Sequence, residues 1–341
     1  MKRSTKIALI LGSILILLGI VLVTVSLALT GGDLLAYETG GDYERMEDVY
    51  DAGEISAVTL SCTASDVILR HSDDGKFRVI RYENEELSYQ VQKLYYVLNG
   101  EKSIHLKISE NDPNRKLSFH IHLNPETCRI VLEIPDAQEN ITIRTASGDI
   151  RLDGITVRDT LDLHAVSGDI SLSSLHAGTC LTETTSGDVH VADTDIHAFT
   201  IATTSGDVTL RAVSAKENSS IKTVSGDVKC TDGVMGAHLS VTTTSGEIDA
   251  TDTQIVCADF VSTSGDVDIQ LYLDPEKRSF FSKETVSGTV KYVGTPHVSP
   301  IGSQSESGEL PSVEEIEKTL IRVKTVSGDI TVRFIPREQG S

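Results

Sequence analysis

The tripeptide Ser-Gly-Asp returns along this chain at nearly constant spacing. It stands at Ser147-Gly148-Asp149, Ser167-Gly168-Asp169, Ser186-Gly187-Asp188, Ser205-Gly206-Asp207, Ser225-Gly226-Asp227, Ser264-Gly265-Asp266 and Ser327-Gly328-Asp329. Variants occur at Ser245-Gly246-Glu247 and Ser287-Gly288-Thr289. In chain order the serine-to-serine steps are 20, 19, 19, 20, 20, 19, 23 and 40 residues. A period near 20 restricts the fold to one in which equal units stack on each other.

Counted from its serine, each unit carries apolar or small residues on alternating positions before and after the tripeptide. Leu161, Leu163, Ala165, Ile170 and Leu172 form one such set, and Phe199, Ile201, Thr203, Val208 and Leu210 another. Alternation on both sides of a glycine predicts two short half-buried strands joined by a bend. Gly148, Gly168, Gly187, Gly206, Gly226, Gly246, Gly265, Gly288 and Gly328 are the turn residues, as expected where the backbone needs positive φ or close approach. Two positions before each serine stands Thr, Ala or Ser, which predicts a tight inside to the bend. A second turn follows at Asp153-Gly154, Asp193-Thr194, Asp232-Gly233 and Asp252-Thr253, and an apolar residue after it starts a shorter third side. One coil cannot bury its inner face alone, whereas stacked coils share a continuous core and parallel strand ladders. The fold class expected is therefore all-β, a parallel β-solenoid of about 20-residue coils. A β-propeller, the main competitor, needs blades of about 40 residues or more.

Residues 1–6 read as a cytoplasmic stub and 7–29 as a transmembrane helix. Ile7 to Leu29 is an apolar run of 23 residues without a charge. At about 1.5 Å per residue it covers roughly 35 Å, enough to cross a bilayer with some tilt. Lys2, Arg3 and Lys6 precede it and acids follow, which puts the N-terminus in the cytoplasm and the bulk of the chain outside, in a single-pass cell-membrane protein. The rival reading is a cleaved signal peptide with Ser26-Leu27-Ala28 at its cleavage site, but the run is longer than a signal core of about 7–15 residues. Residues 30–52 are acidic and read as a linker. Residues 53–140 are β-rich but irregular, with strand-like runs at Ala57–Leu60, Phe77–Tyr82, Ile104–Ile108, Leu117–Leu123 and Arg129–Ile134. They are expected to cap the solenoid, with Ala64-Ser65-Asp66-Val67 as a degraded repeat; a small separate β domain is the alternative. The solenoid itself runs over 141–335 with an insertion at 294–320. Ser312-Val313-Glu314-Glu315 is a capping-box pattern, and Val313, Ile316 and Leu320 share a helical face, predicting a short helix before the last coil. Residues 336–341 are a polar tail.

The acids after the glycines are the sharpest candidates for chemistry. Asp149, Asp169, Asp188, Asp207, Asp227, Glu247 and Asp266 hold one position in successive units. Stacked about 4.8 Å apart, neighbouring charges repel by about 0.9 kcal/mol in water. The row must therefore be solvated, splayed or bridged. One reading has each acid accepting local turn N–H groups and facing water. A second has a weak divalent-cation ladder, with Ca²⁺ as the cation suited to an oxygen-rich row. A third has a polysaccharide-acting enzyme, but glycoside hydrolysis needs two carboxylates in different environments and these acids are near-copies. No nucleophile elbow, P-loop or dinucleotide fingerprint is present, so no catalytic residue and no organic cofactor is expected. His120 and His122 share a strand face without further ligands nearby. Cys62, Cys128, Cys180, Cys230 and Cys257 are odd in number and lack zinc spacing; Cys180 and Cys230 fall on inward positions and read as core. Beyond Lys6 the chain has 27 Lys plus Arg against 50 Asp plus Glu, a balance of −23. Such a surface argues against nucleic acid and anionic lipid, and favours a cationic or glycan partner of the cell envelope.

The phrase Thr223-Val224-Ser225-Gly226-Asp227-Val228, its period, and Ile130–Pro135 leading into the first full repeat resemble the bacterial "putative-adhesin" domain of unknown function. The resemblance covers roughly Gly53 to Phe334. It implies a β-strand-repeat protein of the envelope, often behind one N-terminal membrane helix, acting as a non-catalytic binding or scaffolding module. Some relatives belong to envelope stress systems that respond to membrane-active antibiotics. The family has no established catalytic residues to carry over. The chain departs from the pattern at Thr289 and over Gly294–Pro311.

Overall fold

The computed structural model describes residues 43–51, 53–84, 87–98, 101–111, 129–135, 137–273, 279–293, 299–300 and 319–336. The expected transmembrane helix, His120, His122, Cys128, the run Leu117–Leu123 and nearly all of the 294–320 insertion lie outside the described residues. Among the described residues no helix is long and apolar enough to cross a membrane.

Each repeat closes one three-sided coil of an all-β stack. In the Ser167 unit, Ile170–Ser173 follows the tripeptide and alternates buried and half-exposed residues. A left-handed residue, Ser174 (φ 52°), then turns the chain. Buried Leu175 leads into His176–Glu183, which covers the third side, bends at Gly178 and runs back to the next tripeptide. The left-handed residue recurs at the same place in successive coils: Gly154, Ser174, Asp193, Ala212, Asp232 and Asp252. Positive φ thus belongs to this second turn. The repeat glycines have none, and close approach alone explains them.

Coils join through parallel ladders in register, as in Ile170↔Val189 and Leu172↔Val191. Their inward residues form one continuous cluster that includes Leu60, Leu106, Ile143, Leu163, Phe199, Leu210, Val241, Phe260 and Val332. Each fully buried side chain of this size contributes about 1.5–3 kcal/mol. Cys180 and Cys230 belong to the same cluster, and burial pushes their thiols up to about 11 and about 12. Cys62, Cys180, Cys230 and Cys257 are all outside disulfides.

The order of coils in space differs from their order in sequence at both ends. Strands β1 (Glu44–Asp51), β2 (Ile55–Ser61), β3 (Asp66–His71), β4 (Lys76–Glu83), β5 (Ser88–Leu98), β6 (Glu101–Asn111), β7 (Arg129–Ile134), β8 (Gln138–Thr145) and β9 (Ile150–Asp153) build the first end. The coil made of β2 and β3 lies between β6 and β7 on one side and β8 and β9 on the other. At the far end, Thr319–Thr325 and Ile330–Pro336 form the last coil in sequence. It sits between the Ser264 coil and the Ser287 coil. At each end a coil is thus inserted between two others that do not flank it in sequence, and Ser299–Pro300 adds a further short strand outside Phe280 and Phe281.

Antiparallel strands extend the first end: β4 on β7, β1 on β4, and β5 on β6. Arg78 ties this sheet together through Glu47, Asp74 and Glu133, and Arg81 through Asp48 and Glu83. Two sequence expectations change here. Residues 44–51 of the expected linker are strand β1, because its partner β4 offers an open edge. Leu320, placed on a helical face by periodicity, is in a strand paired with Cys257. In a short segment, alternation and helical spacing share positions, and tertiary pairing decides.

Candidate functional site

The Ser-Gly-Asp corner runs the length of the stack as several parallel rows. The innermost is a row of hydroxyls that the sequence showed only as small residues. Thr184, Thr203, Thr223, Thr243 and Ser262 are buried. Each accepts the N–H of the glycine three residues on: Gly187 at 3.2 Å, Gly206, Gly226 and Gly246 at 3.0 Å, and Gly265 at 2.8 Å. Each also donates to a glycine carbonyl one coil back, as Thr223 does to Gly206 at 3.3 Å and Thr243 to Gly226 at 3.2 Å. One hydroxyl thus satisfies two buried backbone groups that would otherwise be costly. The Ser167 coil has Ala165 here and lacks both bonds.

The glycines follow from the same closeness. A Cβ at Gly206 would fall well inside the van der Waals radius of the Gly187 carbonyl oxygen, and the same holds from Gly148 to Gly328. No side chain fits between successive corners.

The acids form the outer ladder, and their bonding partner is not the local turn. The amide N–H of each acid donates to Oδ1 of the acid one coil back. Asp149 donates to Asp66 at 3.0 Å, Asp169 to Asp149 at 3.0 Å, Asp188 to Asp169 at 2.8 Å, and Asp207 to Asp188 at 2.8 Å. Asp227 donates to Asp207 and Glu247 to Asp227, both at 2.8 Å. The ladder resumes with Asp329 on Asp266 and Thr289 on Asp329, both at 2.7 Å. Asp66, in the degraded repeat, is its first rung. Charge-assisted bonds of this type contribute about 1.5–3 kcal/mol, which outweighs the expected repulsion between neighbours.

Two rungs are exceptional. Glu247, one methylene longer, accepts no bond from the Asp266 amide among the described residues. Burial, then the charges of Asp227, Asp249, Asp266 and Asp268, hold its carboxyl above the usual range. Thr289 replaces the acid in the Ser287 coil, and among the described residues no further amide of the ladder reaches it, although Ser299–Pro300 pairs with Phe280 and Phe281 on the outer side of that coil. The break in pattern seen in the sequence thus marks the last rung of the ladder among the described residues. The amide and hydroxyl of Thr289 hold the Asp329 carboxyl below its ordinary value.

Outside the hydroxyl row, Ser147, Ser167, Ser186, Ser205, Ser225, Ser245, Ser264, Ser287 and Ser327 are exposed along the corner. Beside them stand exposed Val166, Val224, Val286 and Val326. Basic partners are sparse: Arg151 bridges Asp149 and Asp66, and Lys229 meets Asp249. The structure brings all seven predicted acids into one line, yet the fit to a cation is poor. Six of their side chains or predecessors have Oδ1 committed to an amide, and no group of three or more His, Cys, Asp or Glu among the described residues is arranged to hold a metal ion.

The sequence profile of Toastrack DUF4097 matches residues 55–333. Among solved structures, a "putative adhesin" from Parabacteroides distasonis shares 11% identity over 86% of this chain and 98% of its own, with a TM-score of 0.39. A "putative lipid binding protein" from the same species shares 15% over 87% and 98%, with a TM-score of 0.35. A "putative adhesin" from Bacteroides fragilis shares 14% over 86% and 97%, with a TM-score of 0.30. No curated protein matches the chain.

Proposed function

The chain belongs to the Toastrack DUF4097 family, and from that premise we propose that it is a non-catalytic binding or scaffolding module of the cell envelope. Residues 7–29 anchor it in the membrane, the N-terminus is cytoplasmic, and the solenoid stands outside the cell membrane. The observation that supports binding is the corner itself: a row of exposed serines with carboxylates beside them in all but the Ser287 coil. A regular row of equal weak contacts suits an extended partner, because each rung adds to the last. The same sameness argues against hydrolysis, which needs one carboxylate protonated and another ionised. The partner chemistry favoured by a net charge of −20 is cationic or glycan.

The test uses the full chain in detergent or nanodiscs with two defined probes, an extended polycationic peptide and purified envelope polysaccharide. A variant with Asp169, Asp188, Asp207 and Asp227 changed to Asn keeps every carbonyl acceptor of the ladder while removing four charges. Retention of either probe by the parent, and its loss in the folded variant, supports the reading. Retention of neither, or release of reducing sugar ends from the polysaccharide, overturns it.

A further inference from the structure

The end of the stack nearest the chain's N-terminus differs chemically from the rest. Its outermost strands are β5 on one face and β1 on the other. β5 carries Tyr95 and Tyr96, 71% and 51% exposed, and β1 carries Val49, 52% exposed. Tyr292, at the opposite end, is 40% exposed. The surface under these side chains is firm. Lys93 of β5 bonds Glu54 at 3.0 Å and lies 4.4 Å from the ring centre of Tyr50 on β1, which packs in turn against Phe77. The strand that carries both rings is therefore clamped to β1.

The position of this end relative to the rest of the chain says what faces it. Only residues 30–42 separate the end of the apolar run at Leu29 from Tyr43, the first described residue. A chain of thirteen residues has a root-mean-square reach of roughly 20 Å if it behaves as a Gly-rich coil. If the run is anchored, this end of the stack is held within that distance of the lipid surface, where even a weak contact is largely occupied. Tyr, with an apolar ring and a polar hydroxyl, suits the layer between hydrocarbon and water.

We infer that this end of the solenoid rests on the outer leaflet of the bilayer by the outer edge of β5, so that Tyr95 and Tyr96, projecting from the two faces of that strand, flank the edge in the headgroup layer. The inference rests on the anchored reading above. The contact is aromatic rather than electrostatic, because the chain's net charge of −20 is repelled by anionic headgroups. The solenoid axis then points away from the membrane and presents the Ser-Gly-Asp corner along its length to the exterior.

The chain contains no Trp, so one substitution supplies a lone reporter. Full-length Tyr95→Trp is reconstituted into phosphatidylcholine vesicles brominated on the acyl chain near the headgroup. Val286→Trp, at the far end of the stack and 74% exposed in the parent, serves as reference, and Tyr96→Trp is an independent second reporter. The expected result is a blue-shifted emission quenched roughly twofold or more at positions 95 and 96, none at 286, and weaker quenching when phosphatidylglycerol is added. Vesicle flotation separates the two readings. A chain that fails to float overturns the anchor and the docking together. A floating chain whose reporters at 95, 96 and 286 are all unquenched overturns the docking alone. A blue shift that ignores bromine and grows with protein density assigns the rings to a second copy of the chain and also overturns it.

Discussion

Asp207 offers a direct measurement of what the acidic ladder contributes. Its Oδ1 accepts the Asp227 amide at 2.8 Å, and its own amide donates to Asp188 at 2.8 Å. Asp207→Ala removes an acceptor whose charge-assisted bond is worth about 1.5–3 kcal/mol. It also removes repulsion from Asp188 and Asp227. That repulsion is about 0.9 kcal/mol per neighbour about 4.8 Å away in water, and roughly half as much at 0.15 M salt. The net loss expected at 0.15 M salt is about 1 kcal/mol, shrinking at low salt. Asp207→Asn keeps a neutral acceptor and loses the same repulsion, so it should be near neutral at 0.15 M salt and stabilising by about 0.5–1 kcal/mol at low salt. Thermal unfolding followed by circular dichroism at both ionic strengths gives the ranking. Hydrogen exchange at the Asp227 amide should quicken in the Ala variant and not in the Asn variant. Equal losses for the two variants, or a salt dependence of opposite sign, would refute the ladder as the source of this stability.

Other rows of the corner give further expectations. Ala165→Thr should raise the midpoint of unfolding, by about 1 kcal/mol in stability, because it supplies the missing acceptor for Gly168 and donor for Gly148 that neighbouring coils possess. Gly206→Ala should cost at least about 3 kcal/mol or prevent folding, read by loss of the circular dichroism transition, since the coils must part to admit the methyl group. Glu247 has a folded pKa above its unfolded value of 4.5, so the folded chain binds the extra proton in the window just above that pH. Stability from this source is present below the window and is lost as pH rises through the folded value. Glu247→Gln should therefore melt above the parent at neutral pH and together with it near pH 4.

Much of this architecture is visible in the sequence because each unit repeats the same physical problem. The alternation before and after Ser186 or Ser205 marks inward residues such as Phe199 and Val208, and a glycine marks each corner where coils touch. Partnership is harder to see. A carboxylate after a glycine commonly bonds its own turn, and only the stack reveals that Asp207 accepts from the coil beyond. Thr203 reads as merely small, since a hydroxyl with two backbone partners has the same volume signature as Ala165. The chain order hides the spatial order at both ends, because the repeats are alike enough for any coil to sit beside any other. The substitution of Thr289 for the acid, read with Asp329 downstream, is a local sign of where the acidic ladder stops among the described residues. Strands β1 and β5 escaped notice because their partners β4 and β6 are antiparallel and lie outside the period.

The interleaved ends also set an order of events for a chain made from its N-terminus. Neighbouring corners within the stack are 19 or 20 residues apart, so each new coil can settle as it appears. Asp66 and Asp149, however, lie 83 residues apart, and Asp266 and Asp329 63 residues apart. Closing loops three to four times longer costs about 1 kcal/mol more in chain entropy. More important is the sequence of steps: among the described residues the Ser287 coil pairs with no earlier coil, and it joins the stack only once the Thr319–Pro336 coil beneath it has been synthesised. Growth by simple addition serves the middle of the stack, while the far end waits for Thr319–Pro336. A chain cut before Thr319 would keep its middle and lack the coil that joins the Ser264 coil to the Ser287 coil.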